Sequence, residues 1–241
     1  PEVSSIYGGS AAKENAGEMK NRGWELTINY KLNSGDFQHN FNFNVSDSKN
    51  KVTDFGGKER IDQNDQLYKL IREGQPLGSY FGYKTDGLFQ SYDEIANSAL
   101  PVGASVQPGD VKYVDQNNDG VIDEKDRVIL GNAFPRYTFG FTYNMTWKGF
   151  DLSLIGQGVA DKKYYTTDWG VQPFMQGSSP NKDYIKHMWT EENPYGAKHP
   201  KLYWQDMGGG KNTRPNSYYL KDASFFRLKN LTLGYTLPRV W

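Results

Sequence analysis

The side chains best suited to chemistry lie in residues 115–126, which read DQNNDGVIDEKD. Asp115, Asn117, Asp119, Val121, Asp123 and Asp126 fall at positions 1, 3, 5, 7, 9 and 12 of a calcium-type loop, with Gly120 at position 6. A hard cation needs several oxygens converging on one point, and short Asp and Asn side chains at alternate positions supply them as the chain wraps round. Position 7 offers its backbone carbonyl, and Gly120 permits the sharp turn. Asp126 stands where an EF-hand has a longer Glu, and the flanks 110–114 and 127–130 read as extended rather than helical. The expected ligand is therefore a structural Ca²⁺ on a framework other than an EF-hand. Mg²⁺ fits less well because it demands a tighter octahedron. The competing reading is a solvated acidic turn, since Asp, Asn and Gly favour turns in any case.

Catalytic patterns are weak by comparison. The three histidines, His39, His187 and His199, have no zinc-like spacing, and no Gly-x-Ser-x-Gly elbow or phosphate-binding glycine loop occurs. Glu191 and Glu192 read as a solvated pair. The chain is expected not to be an enzyme.

Elements must position the acidic loop, and the segment after it names their type. In Tyr137–Trp147 every second residue is large and apolar (Tyr137, Phe139, Phe141, Tyr143, Met145, Trp147), and those between are small or polar. This is a period-2 strand with one greasy and one wet face. Its length suits a tilted membrane-crossing strand with aromatics at the interfaces. Residues 23–30 and 37–46 alternate in the same way, with Asn33, Ser34 and Gly35 as a tight turn between them. His39 falls on the apolar face. Lys148 and Gly149 form a minimal turn into a strand over 150–157. A last strand falls in 224–237, where the sequence Phe225, Phe226, Arg227, Leu228 breaks the alternation and suggests a bulge. Residues 1–21 read as loop, and short helices are expected over 92–98 and 182–190.

Composition agrees with an all-β chain. Aromatic residues make up 15% of the 241, and no apolar run approaches a membrane helix, which leaves a barrel open because barrel strands are half polar. The formal net charge is zero, so there is no electrostatic case for nucleic acid. Cysteine is absent, which excludes disulfides and thiol chemistry. The chain opens on Pro1 and is expected to be a piece of a longer polypeptide.

Connection lengths then carry the topology. They run about 5, about 90, 2 and about 65 residues, short and long in alternation, as in outer-membrane barrels. The long excursions are 47–135, which contains the acidic loop, and 158–223, and both are expected on the extracellular side. Five strands cannot close a barrel, so further strands are expected outside this sequence.

The run from Gly109 to Gly158 (GDVKYVDQNNDGVIDEKDRVILGNAFPRYTFGFTYNMTWKGFDLSLIGQG) closely resembles the C-terminal half of SusC/RagA-type TonB-linked outer-membrane transporters. So do NAGEMKNRGWEL at 15–26, GQPLGSYFGYKTDGLFQ at 74–90 and ASFFRLKNLTLGYTLP at 223–238. The resemblance covers nearly the whole chain, with its motifs in order. It implies a 22-stranded transmembrane antiparallel β-barrel with an N-terminal plug, in the outer membrane of a Gram-negative bacterium. It also implies uptake of oligosaccharides or peptides driven through TonB, with a SusD-type surface lipoprotein as lid. Sugars stack on aromatic rings, so Trp169, Trp189, Tyr203 and Trp204 are candidate substrate contacts, with Tyr164 and Tyr165 beside them. The plain alternative is that these rings pack the loops or face the lipoprotein. A soluble all-β glycan-binding module with a calcium-stabilised loop would show similar strands, but shorter connections and another use for the greasy faces.

Overall fold

The computed structural model describes residues 17–64, 67–166, 173–174, 177–204 and 211–238. In chain order, β1 (Glu18–Ser34) and β2 (Phe37–Asp54) form a long hairpin. The first excursion then supplies β3 (Glu59–Asn64), β4 (Leu67–Arg72), β5 (Ser79–Tyr83), β6 (Thr85–Leu88), helix α1 (Tyr92–Ala96), β7 (Leu100–Pro101), β8 (Val111–Tyr113), β9 (Val121–Ile122) and β10 (Arg127–Gly131). A second hairpin follows, β11 (Tyr137–Trp147) and β12 (Phe150–Ala160). The second excursion carries β13 (Lys163–Tyr165), helix α2 (Lys182–His187) and β14 (Leu220–Asp222), and the chain returns as β15 (Phe225–Tyr235).

Five strands make one antiparallel sheet in the order β1-β2-β11-β12-β15, with β1 and β15 at its edges. Register explains its two-sidedness. Residues directly opposite share a face, and the pairs Leu26↔Val45, Ile28↔Phe43, Phe43↔Phe141, Phe41↔Tyr143 and Leu152↔Leu233 put most of the large apolar rings and chains on one side, with Ile155, Val159 and Phe225 as exceptions on the other. Gln38, Asn40, Asn42, Asn44, Thr142 and Ser153 lie on the other. The apolar face is bare: Trp24 is 51% exposed and Leu233 73%. A patch of this extent needs a nonaqueous neighbour. From Trp24 to Leu32 the strand runs about 27 Å, and a barrel tilt leaves a good part of that across a membrane.

Both short turns lie at one end of the sheet, since Ser34↔Phe37, Phe37↔Trp147, Trp147↔Phe150 and Phe150↔Tyr235 are successive pairs. Lys148 and Gly149 close the second hairpin with φ of 45° and 88°, the left-handed pair that a two-residue hairpin turn needs. Both excursions leave from the opposite end. The buried core sits there, outside the wall. One cluster joins Tyr83, Val111, Tyr113 and Ile122, and a second joins Tyr80, Tyr165 and Tyr219.

Several boundaries differ from the sequence expectation. β1 begins at Glu18, so residues 18–21 are strand rather than loop, and β2 runs on to Asp54. These extensions are mostly charged and polar, without the apolar alternation that marks a half-buried strand, yet they pair in continuous register from Met19↔Val52 onward, with a shift at Glu18. The first turn is only Gly35 and Asp36, with Asn33 and Ser34 still in β1. The interruption in β15 is a bulge, with Lys229 skipped between Leu228 and Asn230 opposite Gly156 and Ile155. His39 lies between Phe37 and Phe41 on the apolar face and places Nδ1 2.9 Å from the Tyr143 hydroxyl, which satisfies its polar edge.

Candidate functional site

The acidic loop follows β8 and closes on its own backbone. The Asp115 carboxylate accepts hydrogen bonds from the backbone N–H of Gly120 at 2.8 Å and of Asn118 at 2.6 Å. The Asn117 side chain accepts from the N–H of Asp119, and Asp119 from that of Val121, both at 3.1 Å. Gly120 has φ of 87°, the left-handed backbone that reverses the chain there. Asp126 is fully buried and ties the two ends together, accepting from Gln116 N–H and Asp123 N–H at 2.8 Å each. Asp123 in turn caps a single 3-10 turn through the Lys125 N–H. Ile122, 1% exposed, anchors the loop in the Tyr83–Tyr113 cluster.

The electrostatics follow from these bonds. The Gly120 N–H, and those of Asn118, Asp119 and Asn117 behind it, hold the Asp115 carboxyl below the usual carboxylate range against an opposing desolvation. The Lys125 ammonium stands 3.9 Å from the Asp119 carboxylate and 3.5 Å from that of Asp123. Among the described residues, no three His, Asp or Glu side chains converge as a metal site. The donor set is nonetheless all oxygen, which suits a hard cation, and a lysine cation stands beside two of the six sequence-predicted positions. Val121 contributes only its backbone, and its side chain is 41% exposed.

The aromatic candidates separate. Trp169 lies outside the described residues. Trp189 is only 5% exposed, and its indole N–H donates to Gln90 at 3.2 Å, so its face is closed to solvent. Tyr203 is half-buried; its hydroxyl reaches Gln107 at 3.5 Å and the Lys211 ammonium lies 3.8 Å over its ring. Trp204 is 72% exposed and stands against the Phe174 ring at 4.6 Å. Tyr164 is exposed, whereas Tyr165 is buried and its hydroxyl accepts from the Asn216 N–H at 3.0 Å.

Sequence reasoning missed the seam that joins the two excursions. Tyr83 N–H donates to the Pro215 carbonyl at 2.9 Å, and a Cβ on Gly82 would lie 2.2 Å from that oxygen. Asp110, 1% exposed, accepts from Asn212 at 3.0 Å and pairs with Lys211 at 2.9 Å, while Asn212 accepts the Val111 N–H at 2.8 Å. The seam makes one cap of segments about a hundred residues apart. A second knot lies on α2, where Asp183 bonds His187 and His199 at 2.9 Å each, and His199 chiefly holds its carboxyl below the usual range.

No protein-family profile matches the chain. Individual proteins do. TonB-dependent receptor P26 of Formosa agariphila is 32% identical over 232 residues, which cover 93% of this chain and 23% of that protein. TonB-dependent receptor SusC of Bacteroides thetaiotaomicron is 24% identical over 242 residues, 95% of this chain and 21% of SusC. The solved RagAB peptide transporter superposes with a TM-score of 0.71 at 22% identity, over 98% of this chain and 24% of that one. The chain thus spans about a quarter of the length of the relatives it matches. By name these relatives are receptors and transporters rather than enzymes.

Proposed function

The chain is a homologue of SusC/RagA-type TonB-dependent receptors, and from that premise we propose that it forms part of the barrel wall and loop cap of an outer-membrane nutrient importer. One observation carries the reading: a five-stranded sheet with one bare apolar face and one polar face, all its short turns at one end and a folded cap at the other. Lipid is the neighbour that such a face requires, and the polar face suits a lumen. A soluble glycan-binding module would leave Trp24, Ile28, Leu231 and Leu233 in water.

The imported substrate is an oligosaccharide or peptide, taken up through TonB, and a SusD-type lipoprotein closes over the cap. Of the three described aromatic candidates, Trp189, Tyr203 and Trp204, Trp204 is the best placed to meet a ligand, because it combines a large π face with exposure. The oxygen-rich loop 115–126 takes Ca²⁺, which would displace the Lys125 ammonium from Asp119 and Asp123 and stiffen the cap.

The first test is fractionation of the natural full-length polypeptide, with gel mobility compared before and after boiling. Outer-membrane location with a heat-modifiable band supports the reading; a soluble, heat-indifferent product rejects it. Uptake of candidate glycans and peptides by cells carrying the wild type or Trp204→Ala then addresses the substrate. For the loop, calcium titration and protease resistance of wild type and Asp119→Ala decide: equal behaviour removes the calcium role.

A further inference from the structure

The apolar face of the wall ends in a charge pattern that strand pairing does not explain. At the loop end of the β1–β2 hairpin, Lys20 lies directly opposite Lys51, and Arg22 directly opposite Lys49. Like charges facing each other across two strands repel and cost stability. All four side chains are exposed, and with Thr53 they line one open groove. Among the described residues none of the four forms an ion pair. On that face Asp47, opposite Trp24, is already held by the Arg136 guanidinium through bonds of 3.0 and 3.3 Å, and Glu18, two residues before Lys20 on β1, is the one carboxylate beside the quartet along that strand. The stem of Lys51 rests by Gly74, its Cε 3.9 Å from where a Cβ would stand.

Which side of the wall these cations occupy follows from alternation. Asn50 and Val52 point to the other side, where Asn50 accepts the Leu77 N–H at 2.7 Å and Val52 is buried. Lys49 and Lys51 therefore share the face of Val45 and Phe43, and Lys20 and Arg22 that of Trp24 and Leu26. Arg22 is two residues beyond Trp24, about 7 Å along the strand. The cations begin where the apolar band stops, the depth at which hydrocarbon gives way to headgroups.

We propose that Lys20, Arg22, Lys49 and Lys51 bind the phosphate of an outer-leaflet lipid headgroup, with its acyl chains lying down the apolar stripe below. The proposal rests on the membrane-wall reading above. A phosphate offers several acceptor oxygens and enough negative charge to relieve the repulsion within the quartet. A free anion would use the cations but not the stripe continuous with them, which is why the ligand is a lipid.

The test uses the natural full-length protein in detergent, titrated with a diphosphorylated glucosamine-disaccharide lipid and with its dephosphorylated counterpart. Wild type should retain the phosphorylated form at least about tenfold more tightly, and high salt should erase the difference. The variant Lys20→Gln/Arg22→Gln/Lys49→Gln/Lys51→Gln should lose the preference and melt at a higher temperature than wild type without lipid, because the repulsion is gone. A control carrying Lys58→Gln, Lys182→Gln, Lys186→Gln and Lys198→Gln should keep the preference. Equal retention of the two lipids by wild type, an undiminished preference in the quartet variant, or full stabilisation by inorganic phosphate alone would each overturn the site. Mobility before and after boiling is read on the same samples. A heat-modifiable band without lipid preference overturns the lipid site alone, whereas absence of the band overturns both readings.

Discussion

Asp126 is the residue on which the acidic loop depends. It is fully buried and has two backbone N–H partners, one at each end of the loop. In Asp126→Ala, the N–H groups of Gln116 and Asp123 lose their acceptor, at a cost of about 2 kcal/mol or more because the acceptor is charged. The expected outcome is faster amide exchange across 115–127 with the wall strands unchanged, read by exchange mass spectrometry. Asp115 makes the loop pH-sensitive in a defined direction. Its folded carboxyl titrates below the unfolded one because Gly120 and Asn118 donate to the charged form. Its contribution is therefore intact above the unfolded value and is lost as pH falls through the folded one. Protection of the Gly120 amide, corrected for intrinsic exchange, should stay level from neutral pH down to about 5 and then decline below about 4. Loss of protection already near neutral pH would assign the loop's order to another group. The turn at the start of the loop was legible in the sequence because it is local: Asp115, Asn117 and Asp119 each accept from an N–H within five residues, whereas the Asp126 bond to Gln116 spans ten. The burial of Trp189 was not legible, since its surroundings come from distant parts of the chain: Gln90, which accepts its indole N–H, lies 99 residues away.

Among the elements, strands that alternate were legible and strands that do not were hidden. Tyr137–Trp147 has the bounds its sequence suggests because large apolar and small or polar side chains alternate along its whole length. The loop ends of β1 and β2 carry Lys20, Arg22, Lys49 and Lys51 on the side of the apolar face, and their order comes from the partner strand rather than from apolar periodicity. The cationic quartet exists only in register, so no scan along the chain could find it. The seam between excursions is hidden for the same reason. Gly82 reads as one glycine in a glycine-rich stretch until the Pro215 carbonyl is placed against it. Gly82→Val should push that contact apart, with an overpacking cost of about 1–3 kcal/mol. The Tyr83 N–H bond to Pro215 and the neighbouring Asp110–Asn212 network would loosen together. Limited proteolysis should then cut within 211–217 while the wall hairpins stay intact. Cleavage unchanged from wild type would mean that the Asp110 network alone holds the two excursions together.

At the scale of the molecule, the governing fact is that the wall has no hydrophobic core of its own. Its buried aromatic clusters lie in the cap, and most of its large apolar side chains face outward. The wall is stable only where that face meets lipid and its edges meet further strands. Neighbouring residues on one strand therefore respond oppositely to the same substitution. Phe141 lies at mid-strand on the outer face, opposite Phe43 and Gly156; Thr142 lies on the inner face, opposite Asn42 and Ile155. Arginine at a lipid-facing midplane site costs about 2–4 kcal/mol, whereas a lumen site can keep the guanidinium hydrated. In the full-length polypeptide, Phe141→Arg should sharply reduce the yield of heat-modifiable barrel in vesicles, and Thr142→Arg should leave it near wild type. A soluble sandwich would give a different pattern, because its apolar face would pack against protein and Phe141→Arg would unfold it in detergent and water alike. If Thr142→Arg proved the more damaging of the two, the inner and outer faces would have to be exchanged, and the cationic quartet would then face the lumen.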